Sequence, residues 1–61
     1  MFEHYKYVIL DYLKKQNRTV EEFERVFGNV LTLQRVLMIM EKKGLIGFDD
    51  KKMEYYLINS K

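Results

Sequence analysis

Between Phe2 and Lys15 the residues Phe2, Tyr5, Val8, Ile9, Tyr12 and Leu13 return at helical intervals. At 100° per residue they share one arc and predict an amphipathic helix. Tyr7 and Leu10 fall outside that arc. The pattern breaks at Gln16-Asn17-Arg18 and resumes behind Thr19, three positions before Glu22. A Thr hydroxyl and a Glu carboxylate at that spacing satisfy two otherwise unpaired backbone N–H groups at a helix start. The second helix is short, with Val20, Phe23, Val26 and Phe27 inward and Gly28 placed for the left-handed conformation that ends a helix. Asn29 can open a third helix running to about Lys43, with Leu33, Val36, Leu37 and Met40 on its inner face and Gly44 as its stop.

After Gly44 the period shortens. Leu45-Ile46-Gly47-Phe48 and Met53-Glu54-Tyr55-Tyr56-Leu57-Ile58 are β-rich runs around the charged stretch Asp49-Asp50-Lys51-Lys52, which reads as a β-hairpin. Neither Asn-Gly nor Asp-Gly occupies the turn, so a connection longer than two residues is expected. Ile9, Leu13, Phe23, Leu33, Leu37 and Leu57 are expected to meet in one core, and Met40 and Met53 read as core fillers. The expected fold class is α+β, three helices followed by a two-stranded hairpin, with residues 1–61 forming one domain.

The stretch Thr32-Leu33-Gln34-Arg35-Val36-Leu37-Met38-Ile39-Met40-Glu41-Lys42-Lys43-Gly44-Leu45-Ile46 resembles the recognition-helix segment of winged helix-turn-helix transcription factors of the MarR and ArsR types, roughly Thr-Val-Ser-Arg-x-Leu-x-x-Leu-Glu-x-x-Gly-Leu-Ile. Ile9-Leu10-Asp11-Tyr12-Leu13 and Thr19-Val20-Glu21-Glu22-Phe23 are similar to that family's first helix and the start of its second, and Tyr56-Leu57 resembles its return strand. The resemblance spans nearly the whole chain. It implies a winged-helix fold, a third helix that enters the major groove of double-stranded DNA, and a hairpin wing beside the backbone. Winged helices also serve as protein-interaction modules, because fold does not fix function.

Composition narrows the chemistry. The 61 residues include 11 Lys+Arg, 9 Asp+Glu, one His and no Cys, for a net charge of +2. No disulfide or thiolate zinc site can form, a single His cannot build a multi-histidine metal centre, and His4 reads as a surface residue without a metal. Neither a phosphate-cradling glycine loop nor a nucleophile with its base is present, and Asp49-Asp50 lacks the ligand count of a calcium loop, so the chain is not expected to be an enzyme or to carry a cofactor. The longest apolar run, Val36-Leu37-Met38-Ile39-Met40, falls far short of the ~18 residues of a membrane span. The first residues lack the form of a signal peptide. A cytoplasmic protein without a membrane partner is the expectation.

On the family pattern Arg35 projects from the exposed side of the third helix, where it can reach a phosphate or guanine; the competing reading is a solvated surface arginine. Thr32 is a candidate phosphate contact, Gln34 can read adenine, and either also fits as surface filler. Lys42 joins them, although it and Lys43 complement the helix C-terminus in any fold. Lys51 and Lys52 sit at the expected wing tip, where Asp49 and Asp50 oppose them electrostatically. Opposite the inner face lie Leu31, Met38 and Ile39 as well as Arg35 and Lys42, a surface that also fits a protein partner. With Tyr7 and Leu10 these apolar residues are the candidate dimer or partner interface. The leading expectation is a DNA-binding transcriptional regulator acting as a homodimer. The alternatives are a protein-interaction module and an accessory factor of replication or of a mobile element.

Overall fold

The computed structural model describes residues 2–58. Helix α1 (Phe2–Lys15) leads into a two-residue strand β1 (Arg18–Thr19), followed by α2 (Val20–Val26), α3 (Val30–Lys42), β2 (Ile46–Asp49) and β3 (Glu54–Leu57). The protein is therefore α+β, with three helices and one antiparallel sheet of order β1-β3-β2. The expected hairpin forms, with Ile46 opposite Leu57 and Asp49 opposite Glu54. A two-stranded sheet was anticipated; Arg18 and Thr19 add a third strand by pairing with Tyr55 and Glu54. That pairing is non-local and exists because β3 passes beside the chain end of α1, so no local periodicity announces it.

Helix ends follow the local chemistry. Thr19 caps α2: its hydroxyl accepts from the Glu22 N–H at 3.2 Å, and its own N–H donates to the Glu22 carboxylate at 2.9 Å. Asn29 caps α3 by accepting the Thr32 N–H at 3.0 Å. At the other end Gly44 takes φ 79° while its N–H reaches the Glu41 carbonyl and the Leu45 N–H the Met40 carbonyl, each at 3.0 Å. This is the paired 5→2 and 6→1 closure that a left-handed residue permits. Gly28 does not play the same part. Helix α2 ends at Phe27 in an extended conformation, and Gly28 has no positive φ.

The core consists of Ile9, Leu13, Phe23, Phe27, Leu33, Val36, Leu37, Met40 and Ile46. Five of the six expected core residues are in it; Leu57 packs against its edge. Aromatic rings tie the layers together: Tyr5 stacks on Phe27 at 4.5 Å, and Tyr12, Phe23, Tyr55 and Phe48 form a chain of neighbours from α1 through α2 to the hairpin. Such pairs add about 0.5–1.5 kcal/mol each beyond their burial. On the outer face of the sheet the Tyr56 ring lies across Gly47, in space that a Cβ there would occupy.

Two apolar residues depart from their expected places. Met53, read as a core filler, is 59% exposed and ends the four-residue turn after Asp49 at φ 58°. The turn needs a left-handed residue before β3, and Met53 fills that position with its side chain in solvent. Val26, expected inward, is exposed because α2 stops within the next residue and Phe27 takes the inward position. Among the described residues no helix is long and apolar enough to cross a membrane.

Candidate nucleic-acid interface

Helix α3 buries one side and leaves the opposite side uncovered. Leu33, Val36, Leu37 and Met40 are in the core. Projected at 100° per residue, Leu31, Arg35, Met38 and Lys42 fall within about 60° of one another on the opposite side. All four are exposed, Leu31 at 74%. Gln34 flanks this stripe on one side; Ile39, at 40% exposure, and half-buried Thr32 flank it on the other. The Thr32 backbone N–H donates to Asn29 Oδ1.

Apolar and cationic groups alternate along the stripe. Its order is Leu31, Arg35, Met38, Lys42, with no carboxylate among them. Among the described residues the one ion pair is Lys6 with Glu3 at 3.3 Å, so neither Arg35 nor Lys42 is neutralised within the described fold. The Tyr55 phenol is raised above its ordinary value, first by its own burial and then by the negative charge of Glu41.

The turn presents a different electrostatic setting. Lys51 and Lys52 are exposed, and their backbone N–H groups both donate to Asp49 Oδ1, at 3.0 and 3.4 Å. Asp49 thus shapes the turn and keeps a carboxylate beneath the lysines. Lys52 also lines an open recess with Thr19, Val20, Glu21, Glu24, Phe48 and Met53, which sets two further carboxylates on α2 beside the turn. The six residues expected to contact DNA accordingly divide. Arg35, Lys42 and Gln34 share the uncovered side of α3, Thr32 sits at its margin, and Lys51 and Lys52 occupy a turn surrounded by acids.

Of the expected interface residues on α1, Tyr7 is 63% exposed, whereas Leu10 is half-buried and packs against the core. A cation–aromatic cluster was not anticipated. Lys6 and Lys43 approach the Phe2 ring at 5.9 and 5.7 Å, and Lys6 also approaches Tyr7 at 5.1 Å. The Phe2-to-Lys6 spacing of four signals half of it, while Lys43 arrives only when α3 packs on α1. Arg18 lies in the break between the α1 and α2 patterns. It stacks over Tyr12 at 5.1 Å and donates to the Tyr12 carbonyl, pinning the start of β1 to the end of α1. Among the described residues no group of three or more His, Asp or Glu side chains is arranged to hold a metal ion. Compared with models of protein families, with curated proteins and with solved structures, the chain matches none of them.

Proposed function

We propose that this chain is a winged-helix DNA-binding protein that acts in transcriptional regulation, with α3 in the major groove and the β2–β3 turn near the flanking backbone. The observation that carries this reading is the uncovered stripe of α3, where Arg35 and Lys42 stand with no carboxylate to neutralise them. A helix about 10–12 Å across fits the major groove, and a groove lined by phosphates is the surface such cations complement. The order of three helices and an antiparallel sheet supports the same reading. One α3 and a few lysines give weak binding, so the protein acts as a homodimer on two half-sites, which multiplies the affinity. Tyr7, exposed on α1, belongs to the dimer contact in this scheme and leaves α3 free for DNA.

Titration of duplex DNA at two salt concentrations tests this. Lys42, Lys51 and Lys52 on phosphates give a slope of log K against log salt of about −2 to −3 per chain, with two chains bound per duplex. Absence of binding at low salt would remove the proposal. A second reading draws on Leu31 at 74% and Met38 at 51% exposure, which suit a protein-interaction surface; it predicts no DNA binding and a protein partner lost on Met38→Asp.

A further inference from the structure

The stripe that α3 turns outward is half apolar, and phosphate contacts leave that half without a role. Leu31 and Met38 are 74% and 51% exposed. They stand on either side of Arg35, with Lys42 one turn further on. Seven residues of helix separate them, a rise of about 10.5 Å, which equals roughly three base steps at 3.4 Å each. In the major groove most base edges are hydrogen-bonding groups, and desolvating those against a Leu or Met side chain gains nothing. Thymine is the exception, because its C5 methyl is an apolar group in the groove. Arg35 and Lys42 in the same stripe form no ion pair among the described residues, and a polyanion is the partner that complements them, unlike the partner of a wholly apolar docking face. The deep, narrow major groove of duplex RNA does not admit a helix, and uracil has no methyl to offer.

Building on the DNA-binding reading above, we infer that α3 recognises a guanine flanked by thymines within about three base steps. Arg35 takes guanine O6 and N7, Leu31 and Met38 pack on the thymine methyls, and Lys42 neutralises a phosphate beside them. The apolar residues then supply sequence preference, and the cations supply most of the affinity.

The test uses the full chain and a 21-base-pair duplex of repeating d(TGA)·d(TCA), in which thymines recur every three base steps with a guanine between them, compared by anisotropy with the same duplex in which every thymine is replaced by deoxyuridine. Burying one methyl is worth about a fourfold change in affinity, so loss of two methyl contacts weakens binding on the order of tenfold. A Leu31→Ala, Met38→Ala double variant, whose replaced side chains lie outside the core, binds both duplexes equally and keeps the salt slope of the unchanged protein. Salt-sensitive binding of equal strength to the thymine and uracil duplexes by the unchanged protein overturns the methyl assignment and leaves DNA binding standing. Persistence of the tenfold preference in the double variant shows that the methyls act through duplex shape, and overturns it too. Failure to bind either duplex at low salt overturns the DNA reading itself, and this inference with it.

Discussion

Leu37 and Met38 are adjacent in one helix and similar in volume and hydropathy, yet Leu37 is 2% exposed and Met38 51%. The same contrast runs the length of α3. Its inner face is closed by α1, α2 and the sheet; its outer face carries three large apolar side chains, Leu31, Met38 and Ile39, beside Arg35 and Lys42. The difference lies in company and not in composition. Inside, every apolar neighbour is another apolar group, and burial is the whole of the contribution. Outside, Arg35 stands between Leu31 and Met38 along the stripe, so the apolar groups there share their surface with cations.

Replacing Leu37 by Ala is expected to have the largest effect, about 2–5 kcal/mol. A domain of this length holds only about 3–9 kcal/mol in total. The paired change Leu31→Ala, at the most exposed apolar position, is expected to stay within about 0.5 kcal/mol. Urea midpoints for the two variants measure the contrast directly, and equal losses would mean that α3 is turned differently about its axis.

Next in size is the division of labour on the outside. On the proposed DNA-binding reading, Arg35→Ala should weaken binding by about 1–3 kcal/mol and relax preference at one base position, as loss of a bidentate contact to guanine would. Replacing Lys51 and Lys52 together should weaken binding alike on all sequences and reduce the salt slope by up to about two units. The carboxylates of Asp49, Glu21 and Glu24 around that turn hold the expected loss below what two isolated lysines would show. Competition titrations against shuffled duplexes separate the two effects, and a uniform loss with Arg35→Ala would reduce that residue to a phosphate contact.

The smallest effect is at Tyr55, on β3. Burial, with Glu41 adding to it, raises the Tyr55 phenol above its ordinary value of about 10. The folded state therefore holds this proton more tightly than the unfolded chain does. Its contribution to stability is fully present below pH about 10 and declines as the pH rises from there through the raised value. Tyr55→Phe should remove that part of the alkaline decline and leave stability at neutral pH nearly unchanged, as thermal melts from pH 8 to 11 would show.

The sequence by itself determined the helices, the caps at Thr19, Asn29 and Gly44 but not the one expected at Gly28, and the inner face of α3. Each depends on groups three or four residues apart: Thr19 with Glu22, Asn29 with Thr32, Gly44 closing on Met40 and Glu41, and the Leu33, Val36, Leu37, Met40 spacing. It also determined the hairpin and the absence of the residues from which thiolate and multi-histidine sites are made. The exposed side of α3 was legible as well, because position relative to the buried arc already puts Leu31, Arg35, Met38 and Lys42 outside it. Only the tertiary structure decided what depends on distant segments meeting. Strand β1 exists because β3 runs beside Arg18 and Thr19. Lys43 reaches Phe2 because α3 packs on α1, and Leu10 is covered because the core extends to it. Met53 leaves the core because the turn requires a positive φ there. The acids of α2 flank Lys52 because the hairpin lies against the start of that helix. Local patterns record the free energy of a turn or a cap within a few residues, whereas these outcomes depend on packing between elements far apart in the chain, which no short window contains.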